Sequence, residues 1–327
     1  MTEDIKIEFS SPFEQSVDAF SHNDVKGDIR LEKRKMLPNL IIRSLIIAIC
    51  IGLFGYASYM IGTNIVESNA AGEMYESIRV ENALSEIKYS PSLLEPNPML
   101  TFKEMLNSNG DYKNYIGGFD SMSDLESRRN RYRNFKNMAA QYEDTYAWIY
   151  VDYTKINYPV MKGPYTNYYL YTNYKGEYSK EGSIFVDSGL SDVYSENRNG
   201  VFYGHCMKNG LMFRTLKTFM ESANKNTLAK TMNIEIYTEE GLYIYSVLSG
   251  YRSDYHSFAK ISFGSDEKYL EWLDSIVANN TLSVRPSYNA QSKVCTLITC
   301  SNNTSNESER YVVHGILKSF VPASQLG

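Results

Sequence analysis

The sequence predicts a mainly β fold, an antiparallel barrel or sandwich, preceded by helical segments and one membrane-spanning helix. Three observations predict it. From about residue 145 onward, short β-branched and aromatic runs alternate with turn signals, the pattern of many short strands. The chain is rich in tyrosine, with 28 copies, a residue that favours strands. Near the N-terminus, residues 44–66 carry no charge between Arg43 and Glu67, a stretch long enough to span a bilayer as a helix.

Taken in order, residues 1–29 are polar, mixed in charge and without periodicity, and read as a flexible tail. Arg30, Lys33, Arg34, Lys35 and Arg43 precede the apolar run, and Glu67, Glu73 and Glu76 follow it. The positive-inside rule then puts the N-terminus in the cytoplasm and the rest of the chain outside. Ser68-Asn69-Ala70 resembles a signal-peptide cleavage site. The long leader and long apolar core instead favour an uncleaved anchor. Residues 66–88 read as helix, and Pro91, Pro96 and Pro98 mark an irregular connector. Ser123-Asp124-Leu125-Glu126 is a capping box opening a helix to about Gln141. Arg128, Arg129, Arg131, Arg133 and Lys136 on that helix read as a solvated face, or as a contact for an anionic wall polymer or membrane surface.

Strands follow at 146–151, 183–187 and 200–205, with a hairpin of 233–238 and 242–247 around Glu239-Glu240-Gly241. Between Asp266 and Ala278, Tyr269, Leu270, Leu273, Ile276 and Val277 form an apolar stripe at helical spacing, predicting a helix docked on the sheet. Thr296–Cys300 and Arg310–Gly315 are two more β-branched runs around a polar loop. Paired as a hairpin, they place a thiol and a guanidinium at one end of a sheet. That suits nucleophilic acyl chemistry, because the cation steadies the charge formed when a thiolate attacks a carbonyl.

Composition narrows the function. A net charge of −5 excludes a general nucleic-acid binder. The four cysteines, Cys50, Cys206, Cys295 and Cys300, form no C-x-x-C pair and fit no common zinc spacing. Cys50 lies in the apolar segment, and the other three face an oxidising compartment where three cannot all pair. Cys295 and Cys300 are an odd number apart in one strand, so they face opposite ways and are poor disulfide partners. At least one exported thiol is free or paired between molecules. A nucleophilic cysteine needs a proton partner. Of the four histidines, His22 lies in the tail, His256 in a polar loop without a motif, and His314 about 13 Å along the sheet from Arg310. His205, in the glycine-containing turn after a strand, is the best candidate.

These residues carry a family resemblance. Thr296-Leu297-Ile298-Thr299-Cys300 resembles the T-L-x-T-C signature of sortases, and Tyr203-Gly204-His205 their catalytic histidine motif. Arg310-Tyr311-Val312-Val313-His314-Gly315 resembles the arginine strand of class B members. Trp148-Ile149, Ile156–Val160, Tyr168-Tyr169-Leu170, Gly182–Asp187 and Met212–Leu216 are similar to class B segments in family order, so the resemblance spans about residues 140–320. It implies a closed barrel of about eight strands with an N-terminal helical subdomain and an inserted helix before the cysteine strand. The chain would divide into a cytoplasmic tail (1–43), an anchor (44–66), a helical subdomain and linker (67–142) and a catalytic barrel (143–327).

The resemblance also implies a membrane-anchored cysteine transpeptidase that cleaves a C-terminal sorting signal after Thr through a thioester. It would then join the surface protein to an amine of a cell-wall precursor, without metal or organic cofactor. Cys300 would be the nucleophile, His205 the general acid and base, and Arg310 the holder of the substrate carbonyl. Thr299, Tyr203 and Leu170 map to the substrate groove. Three positions depart from the family: Cys206 replaces an expected polar residue, Ile298 stands where several members have Ser, and Ser301-Asn302 stands where some carry an acidic residue. Cys206 could form an inactivating disulfide with Cys300 if the turn lets it reach. The rival readings are a pilin-polymerising class B enzyme with a lysine acceptor, a non-catalytic membrane-anchored binding protein, a secreted cysteine hydrolase, and a zinc site of His205, Cys206 and Cys300.

Overall fold

A computed structural model describes residues 22–84, 122–254, 256–301 and 305–327. The connector around Pro91, Pro96 and Pro98 lies outside the described residues, as does the tail before His22. Helix α1 spans His22–Leu84, so the expected irregular tail gives way to helix from His22. Within it, Leu40–Ile78 is long and apolar enough to cross a membrane, and Leu45, Ile49 and Phe54 are exposed. The chain divides into two compact units, Met1–Val66 and Glu67–Gly327.

The second unit is built on eight strands: β1 (Thr145–Val151), β2 (Asn157–Met161), β3 (Ile184–Val186), β4 (Asn199–Tyr203), β5 (Asn233–Thr238), β6 (Gly241–Ser253), β7 (Val294–Cys300) and β8 (Arg310–Pro322). They close in the order β1-β2-β3-β4-β7-β8-β6-β5. The barrel is mixed rather than purely antiparallel, since β2 pairs with β3 and β4 with β7 in parallel. A parallel pair needs a long crossover. The β4–β7 crossover contains α3 (Arg214–Glu221), α4 (Lys225–Thr231), the β5–β6 hairpin and α5 (Asp266–Ala278).

Alternation sorts β7 and β8 into two faces. Cys295, Leu297, Tyr311 and Val313 join the barrel interior with Trp148, Phe202 and Tyr245. Val294, Ile298, Val312 and Ile316 point outward and pack under Tyr269, Trp272, Leu273 and Ile276 of α5. Both faces are buried, which is why Val294–Cys300 reads as a nearly continuous apolar run. Ser265 caps α5 by accepting from the Lys268 backbone N–H.

The helix expected at 123–141 is α2 (Met122–Gln141). Arg133 and Lys136 keep the solvated face expected of them, but Arg128 and Arg131 turn inward. Arg128 Nε and Arg131 Nη2 donate to the two carboxylate oxygens of buried Glu235 at 2.7 and 2.8 Å. Arg131 also donates to Tyr237 Oη at 2.7 Å and lies 4.0 Å over the Tyr150 ring. Arg133 and Lys136 pair with Glu126 and Glu239. The Arg133 pair lies within α2 itself; the pairs to Glu235 and Glu239, with Tyr132, Phe135 and Met138 buried beside them, dock α2 on β1 and β5. In the last turns of α1, Ala71, Tyr75 and Ile78 are likewise buried.

Candidate active site

The β7–β8 hairpin sets Cys300 directly across from Arg310. Both lie at the strand ends, on the outward face carrying Ile298 and Val312, just past the cover of α5. The histidine arrives through the parallel pair. Asn199 pairs with Val294, Gly200 with Cys295, and so on to Tyr203 with Ile298. The Gly204 N–H continues the ladder to the Ile298 carbonyl at 3.2 Å. Carried two residues past Tyr203, this register sets His205 abreast of Cys300. Gly204 makes the turn possible, because a Cβ there would sit 2.5 Å from Ile184 Cδ1 and 2.8 Å from the Phe213 ring.

Cys300, His205 and Arg310 together line a cavity of about 420 Å³, with Tyr203, Thr299, Leu170, Phe258 and Ala259 in its wall. His205 is half-buried and its ring packs against Tyr171, centroids 5.4 Å apart. Its Nε2 is 2.7 Å from the Leu170 carbonyl oxygen. Burial lowers the imidazole pKa below its usual value, opposed by that hydrogen bond and by the charge of Glu181. Arg310 Nη1 donates to the carbonyls of Glu307 at 2.7 Å and Glu309 at 3.0 Å, so the guanidinium is oriented by its own loop. Tyr203 stacks on Phe185, and burial raises its hydroxyl pKa. Thr299 is 2% exposed, and its Oγ1 has no hydrogen-bond partner among the described residues.

The other candidates do not line this cavity. Cys295 faces the barrel interior, where burial pushes its thiol pKa up. His314 is fully buried under α5, bonded to Tyr251 and Thr296, and its pKa is pushed down to about 3 by burial. His256 opens a short 3₁₀ turn, His256–Ala259. Cys206 is buried, with Arg214 Nη1 donating to its Sγ at 3.8 Å. Burial raises its thiol pKa, while the Arg214 and Lys217 charges oppose that rise. Among the described residues, no group of three or more His, Cys, Asp or Glu side chains is placed to hold a metal ion. A larger polar groove of about 830 Å³ lies along α2 and β5, lined by Arg128, Asp152, Lys230 and Lys318, and contains none of the three candidates.

Two features of the site have no sequence signature. Lys217 of α3 donates to the Ser301 carbonyl at 2.7 Å and pairs with Glu221 at 3.2 Å. Glu221 in turn accepts from Tyr311 Oη at 2.5 Å, so α3 is tied to the adjacent ends of β7 and β8. The second is the Leu170 carbonyl, a backbone group that no residue type announces.

Known proteins are similar to this chain in sequence and fold. A family model described as a sortase domain matches residues 149–318. The curated sortase B of Staphylococcus aureus is 26% identical over 180 residues, 55% of this chain and 72% of that protein. A crystal structure of Bacillus anthracis sortase B in complex with AAEK1 is 30% identical with a TM-score of 0.51. The match covers 59% of this chain and 94% of that one. The structure of Clostridium perfringens sortase B is 29% identical with a TM-score of 0.51, covering 56% and 98%.

Proposed function

Since this chain belongs to the sortase family, as a class B cysteine transpeptidase, we propose that Cys300, His205 and Arg310 carry its reaction. The observation that supports this most is their convergence on one cavity from three separate segments. The Cys300 thiolate attacks the carbonyl carbon after a Thr in a C-terminal sorting signal. Arg310 stabilises the oxyanion of the tetrahedral intermediate. As the intermediate collapses, the C–N bond breaks and His205 protonates the departing amine, leaving a thioester on Cys300. An incoming amine then loses its proton to His205 and attacks the thioester. A new amide forms and the Cys300 thiolate leaves.

The acceptor in this reading is an amine of a cell-wall precursor. Residues 44–66 anchor the chain as a single pass, with the N-terminus cytoplasmic and the barrel outside. The residues up to 43 form the cytoplasmic part, 67–142 the helical subdomain and linker, and 143–327 the catalytic barrel. Thr299, Tyr203 and Leu170 line the groove that receives the signal peptide.

The test uses the full chain in detergent with a panel of Thr-containing sorting peptides, followed by mass spectrometry. Wild type forms a thioester adduct that an amine resolves to a new amide, and Cys300→Ala forms none. Adduct formation by Cys300→Ala would refute the nucleophile. Release of free acid despite abundant amine would identify a hydrolase. Supplying a wall-peptide amine beside a pilin lysine separates the two acceptors.

A further inference from the structure

We propose that His205 exchanges its proton through Nδ1, with its Nε2–H clamped on the Leu170 carbonyl, and that Gly182 and Tyr75 are positioning residues for that clamp. The inference rests on the reading of His205 as the general acid and base. A carbonyl oxygen only accepts, so the 2.7 Å contact between Nε2 and Leu170 O requires a proton on Nε2. A neutral imidazole carries one ring proton, which leaves the lone pair on Nδ1. That nitrogen alone can take the proton of an acceptor amine, or return one to a leaving amine, without breaking the clamp.

The Leu170 carbonyl is itself held. It ends a single 3₁₀ turn, Tyr168–Leu170, closed by the Leu170 N–H on the Asn167 carbonyl at 3.1 Å. The neighbouring Ser183 N–H donates to the Tyr169 carbonyl at 3.0 Å. Gly182 lies against this turn with φ +56°, and a Cβ there would fall 2.3 Å from Leu170 O and 2.6 Å from Tyr169 O. Residue 182 therefore must be glycine for both its own conformation and the place of the carbonyl. The Gly182 carbonyl accepts from Tyr75 Oη at 2.7 Å. Tyr75 is 2% exposed, and its ring meets Tyr158 and Tyr174 edge-on at 5.5 and 5.6 Å. A path of contacts thus runs from α1 through Gly182 to the Leu170 carbonyl and the His205 ring.

The experiment uses the full chain in detergent micelles, labelled with ¹⁵N-histidine and observed at pH 8. The His205→Asn variant identifies the signals of residue 205 among the four histidines. The expected spectrum shows a proton-bearing Nε2 and a bare Nδ1 for His205; the opposite tautomer overturns the proposal. Rates of thioester formation at saturating peptide, KM and thermal midpoints are then compared across variants. Tyr75→Phe keeps the ring and loses the hydroxyl's contacts with the Gly182 carbonyl and Ser183 Oγ, so its rate falls about three- to tenfold at unchanged KM. Gly182→Ala slows the step more than tenfold and depletes the Nε2–H tautomer. If Gly182→Ala does not fold, Tyr75→Phe decides. Variants that lower the thermal midpoint but keep wild-type rate and tautomer overturn the positioning role. Full activity in His205→Asn would instead remove the catalytic reading itself, a separate outcome.

Discussion

The buried His314 makes the stability of the barrel depend steeply on acid. Thr296 Oγ1 lies 2.7 Å from Asn199 Oδ1 and 2.9 Å from His314 Nδ1. The hydroxyl has one proton, and Asn199 Oδ1 can only accept it, so His314 Nδ1–H must donate to Thr296. Nε2 is then bare and accepts from Tyr251 Oη at 2.9 Å. Trp272 closes the site edge-on at 5.8 Å, and the histidine is 0% exposed. The neutral ring is fully bonded, and burial pushes its pKa from 6.5 to about 3. The folded state therefore resists a proton that the unfolded chain accepts. Stability is complete above about pH 6.5 and is lost as pH falls toward 3, by about 5 kcal/mol in all. That is a large part of the 5–15 kcal/mol typical of a folded protein. Urea unfolding from pH 7 to 4, followed by tryptophan fluorescence, measures it, with Trp272 as a reporter beside the ring. His314→Gln can still donate and accept but does not titrate. It should be about 1–3 kcal/mol less stable than wild type at pH 7, and the gap should close or reverse by pH 4. A gap that stays constant from pH 7 to 4 refutes the assignment of the buried neutral ring.

Two further substitutions test how the helices are docked. Glu235→Gln removes the carboxylate shared by Arg128 and Arg131 and leaves one buried and one partly buried cation without their counter-charge. The expected loss is about 3–5 kcal/mol in urea unfolding, with α2 newly open to protease; a loss below about 1 kcal/mol would contradict the buried pairing. Lys217→Met removes the cation that grips the Ser301 carbonyl next to Cys300. Thioester formation should slow about tenfold with KM little changed, and an unaltered rate would show that α3 does not steady the nucleophile.

How far the site was legible depends on how locally each part is encoded. Cys300 and Arg310 belong to a hairpin, whose pairing follows from two β-branched runs joined by a polar loop. The parity argument likewise separated Cys295, inside the barrel, from Cys300 on the outer face. His205 is different. Its offset from Cys300 is set by the parallel register of β4 against β7, and the crossover that permits it contains most of the later fold. Residue type and setting could nominate His205, but only long-range pairing brings it to the thiol. Arg128 and Arg131 of α2 misled for the same reason. Charge on a helix reads as exposure unless its buried partner is known, and Glu235 sits on a strand far along the chain. The grip of Lys217 on Ser301 lay beyond sequence reading, since it ends on a backbone carbonyl in a short helix that the apolar pattern does not announce.

The packing of the outward face explains how the proposed nucleophile can sit at a strand end and still be held in place. Cys300, Ile298 and Thr296 alternate outward on β7, as Arg310, Val312 and His314 do on β8. Helix α5 covers the inner positions of both series, so Ile298 and Val312 are locked in apolar packing and Thr296 with His314 in a closed hydrogen-bond ladder to Asn199. Asn199 begins β4, the strand that delivers His205. One buried ladder thus ties together the three strands whose ends carry the thiol, the guanidinium and the turn to the imidazole. The cover stops one step short of Cys300, which is half-buried at the cavity. The scaffold is rigid where strand register must be kept, and it opens at the cavity where, in the proposed reaction, an incoming carbonyl meets the sulfur.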